Sequence, residues 1–115
     1  MNDPTIDLAT FKALQETAGA DFVGDLVGTF LEEAPGMLRD LRASLDAGEA
    51  ERFRRAAHSL KSNGLTFGAL GLAAQAKDLE LAGLAAVKAR AGDPLEGVAA
   101  EYARVAASLS GMRHA

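Results

Sequence analysis

A chain of 115 residues, 49 % of them hydrophobic, is long enough to bury one core and favours a single domain. It has no cysteine, which excludes a disulfide framework and a thiolate metal site, and its net charge of −4 argues against a nucleic-acid partner. Only 5 % of the residues are aromatic, whereas alanine and leucine dominate, which favours closely packed helices.

The longest uncharged run lies between Lys61 and Lys77, which is shorter than the ~20 residues that a membrane-spanning helix needs. No basic-then-apolar leader opens the sequence, so export is not expected. We therefore expect a cytoplasmic protein that does not enter a membrane.

The first predicted helix runs from about residue 8 to residue 18, with Asp7 as its N-cap and Gly19 as its end. A long helix follows over about residues 21–47, and Pro35 within it predicts a kink. Its apolar positions recur at three- and four-residue spacing, which is typical of a buried stripe. They are Phe22, Leu26, Phe30, Ala34, Leu38, Leu41 and Leu45.

Three further helices are predicted over about residues 49–65, 69–91 and 94–111, with a glycine at or near each turn between helices. The last helix has the clearest start, because Asp93 can cap it and Pro94 suits its first position. The expected inward positions of the last two helices are Leu72, Ala76, Leu79, Gly83 and Ala86, then Leu95, Val98, Tyr102, Val105, Leu109 and Met112.

No stretch alternates apolar and polar residues as a strand would. Four long helices joined by short loops predict an all-α fold, an antiparallel up-down-up-down four-helix bundle with a short additional N-terminal helix. We expect residues 1–115 to form one such domain.

The third predicted helix carries a histidine on its polar face. At roughly 100° per residue, six residues lie within about 60° of His58, and six apolar or small residues collect on the opposite side. The first group is Glu51, Arg54, Arg55, Lys61, Ser62 and Leu65; the second is Phe53, Ala56, Ala57, Leu60, Gly64 and Phe67. The sequence thus predicts that His58 is displayed to solvent.

The hairpin between the third and fourth helices predicts which groups face one another. If the chain turns near residues 68–69, residues whose numbers sum to about 138 lie at matching heights, within a residue or two. This pairs His58 with Glu80 and Lys61 with Lys77. One imidazole then has a carboxylate and two ammonium groups nearby, and the carboxylate could fix the tautomer of the ring.

Four short motifs carry a family resemblance: His58-Ser-Leu-Lys, the small residues 62–64, Phe67-Gly-Ala and Leu79-Glu80. Together they resemble the signature of histidine-containing phosphotransfer (HPt) domains, the helical-bundle intermediates of two-component phosphorelays. The resemblance is sharpest over residues 57–80. Three positions depart from the common pattern while staying small, namely Ser62, Asn63 and Gly64.

The resemblance implies that His58 is phosphorylated, through the ring nitrogen distal to the backbone, and that Glu80 contacts the ring. Lys61, one turn along, can pair with the doubly charged phosphoryl group, and Lys77 can add to that field. Ser62 and Gly64 belong to the same surroundings; a large side chain at position 62 would obstruct an incoming protein.

The expected partners are receiver domains and a hybrid histidine kinase, and the chain itself is expected to be a monomer. Receiver docking is assigned to the surface around the histidine, because cationic flanks suit an acidic receiver site. Its residues are Arg54, Arg55, Leu65 and Ala69, with Leu70 as an alternative to Ala69. The sequence has no glycine-rich nucleotide loop and no compact carboxylate cluster, so no cofactor or metal is expected here and Mg²⁺ is assigned to the receiver.

Two other classes of function remain open at this point. One is a helical adaptor with an incidental histidine. The other is a hydrolase or transferase in which His58 acts as a general base. That reading lacks a nucleophile, because Ser59 lies about 100° around the helix from His58.

Overall fold

A computed structural model describes residues 5–112 of the protein and contains five α-helices. They are α1 (Leu8–Ala18), α2 (Ala20–Ala47), α3 (Ala50–Phe67), α4 (Leu70–Lys88) and α5 (Glu96–Met112). No strand occurs in this part of the chain, which confirms the all-α fold and the short additional N-terminal helix. Among the helices of residues 5–112, none combines the length and apolar character needed to cross a membrane.

Helix α3 forms the centre of the molecule and packs most extensively against α4, then against α2. Its buried residues are the six predicted for its apolar face: Phe53, Ala56, Ala57, Leu60, Gly64 and Phe67. The ring of Phe67 lies 5.5 Å from that of Phe30 on α2, and Phe30 also meets Tyr102 of α5 edge-on at 5.9 Å. These contacts join three helices behind the face that carries His58.

The stripe predicted for the start of α2 is wrong by one residue. Val23 and Val27 are fully buried, whereas Phe22 is 55 % exposed. Phe22 and Leu26 reach Phe30 at four-residue spacing, and Val23 and Val27 reach it at four- and three-residue spacing. Periodicity alone therefore does not decide which of the two sets is buried. Tertiary packing selects the two valines, and α2 then continues through Pro35 as one helix without a break.

Helix α4 is shorter than predicted and is interrupted at Gly83. That residue has φ 83° and ψ 162°, outside the helical region, so the helical phase changes there. Beyond it Val87 is buried and Ala86 is exposed, which reverses the predicted assignment. A Cβ at Gly83 would meet nothing within 4 Å. Glycine is therefore needed here for its positive φ and not to let another helix approach closely.

Helix α5 begins two residues later than predicted, at Glu96. Asp93 still caps this region, because its Oδ1 accepts a hydrogen bond from the backbone N–H of Leu95 at 3.1 Å. The same carboxylate binds the Arg42 guanidinium of α2 at 2.7 and 2.8 Å, which holds the pKa of Asp93 below its usual value. The cap of α5 is therefore also a link to α2.

The turn between α3 and α4 is attached to the start of α1. Gly68 ends α3 in the left-handed region, at φ 79°, and its carbonyl accepts a hydrogen bond from the N–H of Asp7 at 2.8 Å. Asp7 is also the side-chain N-cap of α1, as predicted, through the N–H of Thr10. The short first helix is thus anchored to the hairpin that carries the histidine.

Candidate phosphoryl-acceptor site

The imidazole of His58 lies on the exposed side of α3, with 54 % of its side chain open to solvent. Its Nδ1 lies 2.8 Å from Oε2 of Glu80, which projects from α4 at the same height. The two residues are 22 positions apart in sequence and meet because α3 and α4 run antiparallel from the turn at Gly68. The facing arrangement expected from the hairpin is therefore present in the structure.

Glu80 bridges the histidine to a lysine. Its Oε1 lies 2.7 Å from Nζ of Lys61, and its side chain is only 12 % exposed. Lys61 first, and His58 second, hold the pKa of the Glu80 carboxyl below its usual value, against a smaller opposing effect of burial. The carboxylate is therefore ionised at neutral pH.

The ionised carboxylate decides the tautomer of the ring. A carboxylate only accepts hydrogen bonds, so a neutral imidazole at 2.8 Å must carry its proton on Nδ1. The lone pair then lies on Nε2, the nitrogen distal to the backbone. No other hydrogen-bond partner of the His58 ring occurs among residues 5–112. The arrangement presents a nucleophilic nitrogen to solvent without reorganisation.

Gly64 lies on the buried side of α3, in close contact with the start of α4. A Cβ added to Gly64 would lie 3.2 Å from the carbonyl oxygen of Ala69 and 3.2 Å from the backbone N of Ala73. A larger residue would push the two helices apart and lengthen the reach from Glu80 to His58. Ser62, predicted to belong to the same surroundings, is exposed on α3 one turn beyond the histidine.

Lys77 does not join the Glu80 bridge. It is exposed on α4, one turn before Glu80, and borders an open cavity of about 300 Å³ together with Lys61. The remaining lining residues are Leu65, Leu70, Ala73 and Ala74. Leu65 and Leu70 are 52 % and 50 % exposed, so apolar surface flanks the site on this side.

The predicted docking residues are placed unequally. Arg54 and Arg55 are both exposed on α3, and Arg54 is held by Glu51 of the preceding turn. The assignment of Ala69 is wrong, because this residue is fully buried at the start of α4, where its N–H bonds the carbonyl of Gly64. Its neighbour Leu70 is the exposed residue.

Two lining residues, Ala73 and Ala74, escaped the sequence analysis. The pairing of residues whose numbers sum to about 138, which placed His58 opposite Glu80, also places Ala73 opposite Leu65. The position of Ala73 could therefore have been predicted from the hairpin. Alanine offers no chemistry of its own, and only a register argument could have singled it out.

Residues 5–112 contain no group of three or more histidine, cysteine, aspartate or glutamate side chains arranged to hold a metal ion. The short distances of the site instead join one imidazole, one carboxylate and one ammonium group. Such a set can orient a nucleophile and balance charge on it.

Comparisons with known proteins agree with this geometry. The sequence pattern of the Hpt domain family matches residues 25–112, which include all of α3, α4 and α5. The chain is similar to the crystal structure of histidine-containing phosphotransfer protein B (HptB) from Pseudomonas aeruginosa PAO1, with 31 % sequence identity and a TM-score of 0.86. The similarity covers 98 % of this chain and 97 % of that one. The comparison with curated proteins gives no match.

Proposed function

The chain belongs to the Hpt domain family of histidine phosphotransfer proteins, and from that membership we propose that His58 takes a phosphoryl group from a receiver-domain aspartate and passes it to a second receiver. One observation carries the assignment to His58. Its exposed ring is held through Nδ1 by an ionised carboxylate, which leaves Nε2 free to react.

The chemical step needs no proton transfer at the attacking atom. The lone pair of Nε2 forms a bond to phosphorus while the bond between phosphorus and the aspartyl oxygen breaks, and that electron pair leaves with the aspartate. The phosphorylated ring keeps its proton on Nδ1 and becomes cationic. Transfer to the second receiver reverses these bond changes on a new aspartate. Phosphoryl transfer of this kind depends mainly on positioning and charge stabilisation.

Glu80 supports that step in two ways. Before transfer, its hydrogen bond selects the reactive tautomer and aims the ring. During transfer, positive charge develops on the imidazole 2.8 Å from an anion that is already in place. Lys61 and Lys77 make the surroundings of the ring cationic, which suits a doubly charged phosphoryl group. The docking surface for the receiver surrounds the site and consists of Arg54, Arg55, Leu65 and Leu70.

We assign the remaining requirements to the partners. Nucleotide and Mg²⁺ belong to a hybrid histidine kinase and to the receivers, and this chain has no kinase activity or cofactor of its own. It acts as a monomer in the cytoplasm and binds neither nucleic acid nor membrane. The net charge of −4 and the absence of a nucleotide loop from the sequence support this division.

The test of this function is to follow label from a phosphorylated receiver onto the protein and to map it. Trypsin cleaves after Arg55 and Lys61, so the acceptor peptide is Ala56-Ala57-His58-Ser59-Leu60-Lys61, whereas His114 falls in a separate fragment. We expect acid-labile, alkali-stable label in the peptide 56–61. Label in another peptide would show that a residue other than His58 is the acceptor, and no label at all would leave a helical adaptor as the better description.

Removing Glu80 should slow transfer without preventing it. We expect Glu80→Ala to lower the initial transfer rate by about 10- to 100-fold, the size of effect that follows loss of the carboxylate that orients a metal-bound histidine. The transfer rate of Glu80→Gln should lie between those of the wild type and Glu80→Ala, because the glutamine amide oxygen still accepts a hydrogen bond from Nδ1 but carries no charge. Asp78→Ala is the matched control, since it removes an exposed carboxylate of α4 that pairs with Arg90. A Glu80→Ala rate equal to that of Asp78→Ala would contradict the role of Glu80.

A further inference from the structure

Asn63 and Gly64 depart from the common HPt pattern, and the chemistry proposed for His58 makes no use of Asn63. Of the asparagines in the sequence, Asn2 and Asn63, only Asn63 precedes a glycine. We propose that Asn63 is a site of spontaneous deamidation, that the fold of α3 restrains the reaction, and that its isoaspartyl product damages the hairpin that carries His58.

The reaction follows from the chemistry of an Asn-Gly pair. The backbone nitrogen of Gly64 bonds to the side-chain carbon Cγ of Asn63 and closes a five-membered succinimide ring, while Nδ2 leaves with the displaced proton as ammonia. Water then opens the ring at one of its two carbonyl carbons. Opening at Cγ leaves aspartate, and opening at the backbone carbon leaves isoaspartate, whose extra methylene lies in the main chain. Glycine favours closure because it has no Cβ to crowd the attacking nitrogen.

The folded chain opposes ring closure in two ways. Asn63 and Gly64 lie inside α3, where each backbone N–H donates to the carbonyl four residues earlier, and the ring cannot close while Asn63 keeps helical dihedral angles. The side chain is also held away from the Gly64 nitrogen, because Nδ2 of Asn63 donates to the carbonyl of Ser59 at 2.9 Å. Deamidation therefore requires the last turns of α3 to open locally.

The turn between α3 and α4 depends on the residue that follows Asn63. The carbonyl of Gly64 accepts a hydrogen bond from the N–H of Ala69 at 2.8 Å. Gly64 is buried, and a Cβ there would already lie 3.2 Å from backbone atoms of Ala69 and Ala73. An isoaspartyl residue lengthens the main chain just before this contact, so the helix and the turn cannot both keep their geometry. Because the turn sets which residues of α4 face His58, the damage reaches the site.

The first measurement follows conversion of Asn63 at mildly alkaline pH, in the folded protein and in guanidinium chloride. Trypsin cleaves after Lys61 and Lys77, so Asn63 falls in the peptide 62–77, whose aspartyl and isoaspartyl forms separate by chromatography. Asn63→Gln needs a six-membered ring to close, so it is the control for conversion at Gln75 of the same peptide.

We expect ready conversion in the denaturant and a rate at least about 10-fold lower in the folded protein, because only chains with an opened α3 react. Asn63→Gln should stay unconverted under both conditions. Equal rates in the folded and unfolded protein would overturn the restraint by α3, and no conversion of the unfolded chain would overturn the site itself.

The second measurement compares the converted protein with Asn63→Asp after both have been unfolded and refolded in the same way. The two carry the same added charge, but only the converted protein holds chains with the extra main-chain methylene. Residue 63 lies about 140° around the helix from His58, so the charge alone should leave unfolding and label transfer close to the wild type. The isoaspartyl chains should unfold at lower denaturant concentration and accept label about 10-fold more slowly, because His58 and Glu80 are misplaced.

Identical unfolding and transfer in the converted protein and Asn63→Asp would overturn the damage to the hairpin. The transfer arm of the test rests on the proposed function of His58. Wild-type protein that takes no label would refute that function, while the conversion rates and the unfolding midpoints would still decide the deamidation proposal.

Discussion

Replacing His58 with glutamine should abolish phosphoryl transfer to this protein while leaving the bundle folded. Glutamine has no nitrogen lone pair that can attack phosphorus, so we expect label from a phosphorylated receiver to fall below detection. His58 is 54 % exposed and lies opposite the buried face of α3, and glutamine is at least as good a helix former as histidine. The free energy of unfolding should therefore change by no more than about 0.5 kcal/mol.

The measurement pairs a transfer assay with urea unfolding on the same preparations. Receiver binding by the His58→Gln variant, followed by titration calorimetry, separates a lost acceptor from a lost docking surface. We expect binding to persist, because the cationic and apolar residues around the site are unchanged. Label that remains on the variant would show that another residue accepts the phosphoryl group.

Substituting Gly68 with alanine should give the largest loss of stability among the glycine positions of the turns. An alanine in the left-handed region costs about 1–2 kcal/mol, and a Cβ at Gly68 would also lie 2.8 Å from the carbonyl oxygen of Asp7. Relief of that contact requires movement of the Asp7 backbone, whose N–H donates to the carbonyl of Gly68 and whose carbonyl accepts from the N–H of Phe11. Since overpacking adds about 1–3 kcal/mol, we expect Gly68→Ala to cost about 2–5 kcal/mol in urea unfolding.

Gly48 provides the matched control for this prediction. It ends α2 in the same left-handed region, at φ 73°, but a Cβ there would meet nothing within 4 Å. Gly48→Ala should therefore show the backbone cost alone, about 1–2 kcal/mol. Equal losses of unfolding free energy in the two variants would mean that the close contact of Gly68 with Asp7 adds nothing to the cost of a Cβ at Gly68.

The orientation of α3, which carries the site, was predictable because the apolar residues of that helix all fall on one side of it. All six residues assigned to the apolar side of α3 are buried, and His58 lies opposite them. The facing of Glu80 followed from the turn at Gly68, where glycine is needed for a positive φ. Periodicity and turn chemistry act locally, so a sequence carries them without knowledge of the remaining fold.

Other features depended on tertiary packing. Two apolar phases coexist at the start of α2, and only contact with neighbouring helices buries Val23 in place of Phe22. Ala69 was assigned to the surface on its position near the histidine, but the tight crossing at Gly64 encloses it. The pairing of Lys61 with Glu80 was also missed, because a lysine stem can reach several partners and register does not choose among them.

The interruption at Gly83 limits how far disturbance can travel along α4. A helix transmits displacement while its ladder of backbone hydrogen bonds is continuous, and φ and ψ at Gly83 leave that geometry three residues after Glu80. A shift of the segment that leads into α5 is therefore not passed to Glu80 through a continuous helical backbone. The exposed ion pair between Arg90 and Asp78 still joins the two sides of Gly83, so a disturbance of that connection reaches the turn that carries Glu80 through side chains.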